Sequence, residues 1–278
     1  MTHGLAVDLE DWFHPLLITT RSDSSVALIR HPTEQILELL DSRGVRATFF
    51  VVGEVAQRHP DLIASIAERG HEIACHGFSH KPLSSMDPDG FSRELSLAED
   101  AIVTACGLTP KGFRGPSFGL ERETEWAVAV LEDRGYTYDS SIMPTAMGLS
   151  GWATAPREPF KIGGTLWEIP ASTSPRGRIP YGGSVYLRFI PRRVISRWTR
   201  SNEVRGVPSC FYIHPWELLS ELPPTRGNKL GRWITLAGQG RVLPILKWLL
   251  DFVPLAPLGE AFAYLWREEA PAGASSLS

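Results

Sequence analysis

Two histidines stand four residues apart in His76-Gly77-Phe78-Ser79-His80. On one helical turn, residues i and i+4 point the same way, so both imidazoles could grip one metal ion. Histidine is scarce here, 8 of 278 residues, which gives the close spacing weight. Asp8-Leu9-Glu10-Asp11 places three carboxylates in four residues after an apolar run. Two histidines and one carboxylate form a catalytic metal set that leaves positions open for water and substrate. A further carboxylate beside the metal can serve as general base toward that water. The blander alternatives are unrelated loop histidines and an acidic helix cap. A cap explains poorly why the acids follow a wholly apolar strand.

The elements that must position these residues are legible as alternating runs. Leu5 to Asp8, Ala47 to Val52, Glu72 to Cys75, Gly112 to Arg114 and Ser209 to Ile213 read as buried strands. Between them, helices are expected from Thr33, as N-cap, to a stop at Gly44, then over Pro60 to Arg69, Pro88 to Ala105 and Glu121 to Arg134. Residues 140–190 are rich in Gly, Pro, Ser and Thr and read as loops, with a short strand at Thr165 to Ile169. Strands alternating with helices imply βαβ units, a parallel sheet and an α/β fold. Asp8, His76, Arg114 and His214 each stand where an apolar strand ends. Parallel α/β folds gather those C-terminal strand ends at one face, where active sites form.

Composition is that of a globular chain, 43% apolar and 21% charged. No signal peptide and no stretch of about 18 uninterrupted apolar residues is evident. The three cysteines do not make a disulfide framework, so a reducing cytoplasm is the expected compartment. Charge is uneven: residues 176–250 carry 13 basic and three acidic residues, whereas residues 1–175 carry 14 basic and 24 acidic. That asymmetry points to an anionic partner near the second part, or to a solvated basic face. No nucleic-acid partner is expected.

Several stretches, in this order, resemble the polysaccharide deacetylases of the NodB-homology type, carbohydrate esterase family four, and within them the subgroup associated with exopolysaccharide loci. They are Val7-Asp8-Leu9-Glu10-Asp11-Trp12-Phe13-His14, Ala47 to Gly53, Gly70 to His80, Phe113-Arg114-Gly115-Pro116-Ser117-Phe118, Tyr138-Asp139-Ser140-Ser141 and Phe211-Tyr212-Ile213-His214-Pro215-Trp216-Glu217. The resemblance implies a distorted (β/α) barrel with fewer than eight strands. It also implies a divalent metal, usually zinc, held by one aspartate with His76 and His80. It gives Arg114 the task of orienting the catalytic aspartate and His214 that of general acid toward the leaving amine. The first motif departs from the family's two adjacent aspartates. Asp8 is preferred as base and Asp11 as metal ligand, the shorter, stiffer side chain favouring Asp11. Period-2 alternation puts Asp8 and Glu10 on one side of an extended strand and favours Glu10 instead.

These readings make the chain a metal-dependent sugar N-deacetylase. The alternatives are a related amidase or esterase and a catalytically inactive carbohydrate-binding module. Residues 1–217 are expected to form the catalytic domain. Residues 218–269 should form a helical, apolar extension packed on the barrel or lying at the inner face of a membrane, and residues 270–278 a disordered tail. Arg176, Arg178, Arg188, Arg192, Arg193, Arg197, Arg200 and Arg205 suggest an N-acetyl sugar that bears phosphate.

Overall fold

The computed structural model describes residues 1–15, 27–145, 151–176, 178–221 and 229–267. Its strands are β1 (His3–Leu9), β2 (Thr48–Val51), β3 (Glu72–Cys75), β4 (Gly112–Phe113), β5 (Tyr138–Asp139), β6 (Phe160–Lys161), β7 (Trp167–Glu168), β8 (Cys210–Ile213) and β9 (Leu255–Ala256). The main helices are α1 (Arg30–Asp41), α2 (Gly53–Arg58), α3 (Pro60–Glu68), α4 (Pro88–Cys106), α5 (Ala127–Asp133), α6 (Ser184–Phe189), α7 (Arg192–Val204), α8 (Lys229–Leu236) and α9 (Val242–Phe252).

Seven strands run parallel in the order β7-β5-β4-β3-β2-β1-β8. β6 lies antiparallel on β7, and β9 pairs in parallel with the start of β1. Among the described residues no strand ladder joins β7 to β8. Single hydrogen bonds from the segment after β7 reach β8, such as Cys210 N to the Ser172 hydroxyl (2.8 Å) and Tyr212 N to Gly182 O (2.9 Å). The result is the expected distorted α/β barrel.

Strand parity sorts the side chains. Leu5, Val7, Leu9, Phe49, Val51, Ile73, Phe211 and Ile213 face outward into a core shared with Ile36 and Leu40 of α1, Ile63 and Ile66 of α3, and Leu95 and Ile102 of α4. Ala6, Phe50, Ala74, Tyr138 and Tyr212 form a second, inner cluster. Side chains alternate along a strand, so Asp8 shares the inner face with Ala6. The register sets Asp8 beside Phe50, and Phe50 beside Ala74.

Some expected elements differ. Thr33 lies inside α1, where its hydroxyl donates to Ile29 O (2.7 Å) instead of capping the helix. The expected helix over 121–134 is a 3-10 turn, Arg122–Thr124, followed by α5. The His76–His80 stretch is a loop. Its carbonyls at Gly77 and Phe78 accept from Gly53 N (2.8 Å) and Glu54 N (2.9 Å) at the start of α2. Bonds to those free first-turn amides replace helical ones. Gly77 takes φ +72°, which suits glycine. His80 takes φ 55°, a strained conformation for a side-chain-bearing residue of the kind that gathers at functional sites.

The C-terminal part is woven into the barrel. α9 buries Val242, Ile245, Leu246 and Leu249 in the main core, and β9 joins the sheet through β1. The apolar run considered for a membrane surface therefore spends that face on packing. No helix among the described residues is long and apolar enough to cross a membrane. The expected tail, 270–278, lies outside the described residues.

Candidate metal and acid–base site

The C-terminal ends of β1, β3 and β8 bring their polar residues together. Glu10 Oε1 lies 2.9 Å from His80 Nε2 and 3.2 Å from His76 Nε2. His214 Nε2 stands 3.8 Å from the same carboxylate oxygen and 3.7 Å from Asp8 Oδ2. Glu10, His76 and His80 each offer a ligand atom within 4.8 Å of the other two, and all three are buried.

Asp11, the preferred sequence candidate for the metal acid, is not in this cluster. Its carboxylate accepts from Trp12 N (2.8 Å) and Leu28 N (3.0 Å), and its own N–H donates to His14 Nδ1 (2.8 Å). It ties the β1 loop to the start of α1. The cause is parity: Asp8 and Glu10 share the inner face, and Asp11 falls out of phase with them. His14 serves the same loop, with its ring 5.5 Å from that of His80.

The Glu10–His76–His80 donor set suits a divalent cation. His76 Nδ1 bonds to the Arg114 carbonyl (2.6 Å), which must accept, so the proton sits on Nδ1 and leaves Nε2 a free lone pair toward Glu10. Trp216 Nε1–H donates to Glu10 Oε2 (3.3 Å) and fixes the carboxylate from the other side. Burial alone would raise the Glu10 carboxyl, but the neighbouring imidazoles of His80 and His214 hold it well below the usual range.

Asp8 is gripped by Arg114, whose Nη1 donates at 2.6 Å within a pair almost wholly removed from water. Arg114 is in turn fixed by Ser140, through its carbonyl (3.1 Å) and its hydroxyl (3.0 Å). The rings of Phe50, Phe118 and Tyr212 lie 4.2 to 5.3 Å from the guanidinium carbon. Phe118, Trp12 and Phe13 are buried in packing, as is Trp216. Asp139 accepts from the Ser141 hydroxyl and pairs in register with Glu168.

His214 sits on the opposite flank. Its ring stacks on Trp216, with centroids 5.3 Å apart and planes at 25°. Glu217 Oε2 accepts from His214 N (3.1 Å) and lies 3.3 Å from His214 Nδ1. Burial would lower the His214 pKa, but Glu10, Glu217 and Asp8 together raise it to about 9. Sequence reasoning gave no role to Glu217 or Ser140. The His-Pro-Trp-Glu spacing, with an acid three residues after His214 and proline first in the turn, was the available signal for Glu217.

The arginines expected to hold phosphate are partly spent on the protein. Arg188 is buried against Glu217, and Arg178 donates to Ala155 O (2.9 Å). Arg192 donates to Pro244 O (3.0 Å), and Arg205 pairs with Glu158.

Residues 23–138 match the family model for polysaccharide deacetylase, and residues 140–251 match a domain of unknown function (DUF3473). The chain is 35% identical over 97 residues to a peptidoglycan-N-acetylglucosamine deacetylase of Bacillus cereus, covering 34% of this chain and 35% of that protein. It is 42% identical over 76 residues to a chitooligosaccharide deacetylase of Rhizobium leguminosarum bv. trifolii, covering 27% and 35%. The chain thus spans about a third of the length of these curated relatives. A crystal structure of a candidate polysaccharide deacetylase from Mycobacterium smegmatis shares the fold, with a TM-score of 0.62 at 22% identity over 100% of this chain and 96% of that one. The segment that holds His76, His80 and Arg114 is thus a polysaccharide deacetylase-type domain by its match to that model.

Proposed function

We propose that this chain is a metal-dependent hydrolase that removes the N-acetyl group from a sugar and releases acetate. Glu10, His76 and His80 hold the divalent cation, and zinc best matches a buried set of two histidines and one carboxylate. The cation, when bound, supplies Lewis acidity toward the acetyl carbonyl and acidifies water.

The chain's own residues move the protons. Asp8 accepts one from the attacking water, and Arg114 holds that carboxylate in place. His214 donates one from Nε2 to the departing nitrogen, which would otherwise leave as an unstable amide anion. The net change is one water consumed, one C–N bond broken, and one carboxylic acid and one amine formed. The printed names of the two curated relatives support an N-acetylated sugar as substrate.

One observation carries the reading: His214 Nε2 stands within 3.8 Å of both Asp8 and Glu10, beside the two site histidines. The test is zinc-loaded protein incubated with N-acetylglucosamine oligomers, N-acetylated nucleotide sugars and an O-acetyl sugar, with acetate and free amine measured together. Equal yields of acetate and amine are expected. Acetate without amine would move the assignment to an esterase, and neither product would sink it.

A further inference from the structure

We infer that Arg188, gripped by the C-terminal end of α8, is a positioning residue for proton donation, acting on His214 through Glu217. The inference rests on the reading of His214 as general acid and gives the C-terminal segment a part in the chemistry.

The chain of contacts is continuous and dry. Arg188 Nη2 lies 3.4 Å from Glu217 Oε1, and both side chains are 0% exposed. Arg188 Nη1 also donates to Thr235 O (2.8 Å) and Ala237 O (3.0 Å), and Nη2 to Ile234 O (3.3 Å). These carbonyls belong to the last turn of α8 and the residue beyond it, where a helix lacks internal partners and carries partial negative charge. Two further bonds tie the turn after α8 to the same place. Gln239 Nε2 donates to Trp216 O (3.4 Å), and Arg241 Nη1 donates to Arg188 O (3.1 Å).

A buried carboxylate keeps its charge only when a partner balances it. Arg188 provides that charge for Glu217. A Glu217 carboxylate then accepts from His214 Nδ1–H (3.3 Å), which turns Nε2 toward Asp8 and Glu10. Arg188 is far from the reacting atoms along this chain, so its effect must appear through His214. The carbonyls that fix its guanidinium come from residues 234–237, within the segment matched to a domain of unknown function.

The experiment compares two substrates on the zinc-loaded full chain, an N-acetylglucosamine oligomer and 4-nitrophenyl acetate. The amide needs a protonated leaving group; the nitrophenolate leaves without one. Glu217→Gln and Arg188→Met should lower kcat on the amide about 100-fold with KM within about twofold, and the amide-to-ester rate ratio should fall at least tenfold. Arg188→Lys keeps the charge and loses the forked grip, so its ratio should fall less. It serves in place of Arg188→Met should that variant lose its circular dichroism. Independently of turnover, imidazole 15N spectra should show His214 losing its Nδ1–H tautomer in Glu217→Gln. Equal losses on both substrates, or no loss on either, would overturn the inference while leaving the deacetylase reading standing. A wild-type chain inactive on the amide sinks the deacetylase reading, and unchanged 15N spectra would then sink this one separately.

Discussion

Asp8 and His214 face each other across 3.7 Å, yet the two flanks are built by different means. The Asp8 flank is made of strand ends. Asp8 closes the inner face of β1, Arg114 follows β4, and Ser140 follows β5, so sheet register alone sets their spacing. The His214 flank is made of connections. His214 caps a 3-10 turn, Glu217 lies within it, and Arg188 and the α8 carbonyls arrive from separate segments. The Asp8–Arg114 pair is buried almost completely, whereas the His214 side chain keeps 14% of its surface exposed. A buried ion pair adds little net stability, which fits the proposed role of Asp8 as a fixed base. The lesson is that the Asp8 flank depends on the barrel, and the His214 flank on what is wrapped around it.

The sharpest break in that comparison removes what both flanks share. His76→Ala, His80→Ala and Glu10→Gln should each abolish zinc retention and activity while the circular dichroism is kept. Asp11→Asn should retain zinc at full occupancy by elemental analysis. Zinc lost from Asp11→Asn and kept in Glu10→Gln would reverse the ligand assignment.

Next in size is the separation of base from acid. Asp8→Asn should lower kcat by about 10²- to 10⁴-fold on an N-acetyl sugar and on an aryl acetate alike, since both need water deprotonated. His214→Ala should lower kcat on the amide by a similar factor, with KM little changed and the aryl ester much less affected. Should the ester distinguish neither variant, the two flanks do not divide the proton transfers as described.

A smaller effect is expected at Asp11 itself. Its carboxylate satisfies the amides of Trp12 and Leu28, and leaving such partners short costs about 1–3 kcal/mol. Asp11→Asn should therefore lower Tm by a few degrees, about 2–8 °C, without changing KM. An unchanged Tm would show that the loop does not need this staple.

The smallest effect tests the barrel beneath the Asp8 flank. Asp139 and Glu168 pair in register, both fully buried. Burial raises Asp139 to about 6, and burial with the Asp139 charge raises Glu168 well above its usual value. The folded chain therefore holds protons that the unfolded chain has released, and stability falls as pH rises from about 4 through about 6. Glu168→Gln removes one of the two acids. The drop in Tm between pH 5 and pH 7 should shrink by about 2–4 °C relative to wild type. Superimposable Tm curves would show that the pair does not titrate in this range.

Much of the site was legible because it follows strand ends. Apolar runs closed by Asp8, His76, Arg114 and His214 predicted the parallel sheet and the four residues that its C-terminal face presents. The histidine pair was found by the wrong geometry, since helical spacing suggested it and a loop delivers it. The cause lies in α2, whose first-turn amides take the Gly77 and Phe78 carbonyls. Glu121 to Arg134 read as one helix because propensity does not report the capping contact between Glu121 and Thr124 that starts a separate 3-10 turn.

The sequence by itself determined which residue types were present and on which strands they end, because hydrophobic periodicity is a local property. It also held two candidates for the proposed metal acid, a stiff Asp11 and an in-phase Glu10. Only the tertiary structure separates them, by placing Glu10 within 3.2 Å of both site histidines and turning Asp11 to the amides of Trp12 and Leu28. The support of His214 was likewise beyond local pattern. Arg188 and Glu217 meet only because α6, the turn after β8 and the end of α8 pack around one buried charge pair. Such contacts depend on long-range packing that no periodicity within a segment records.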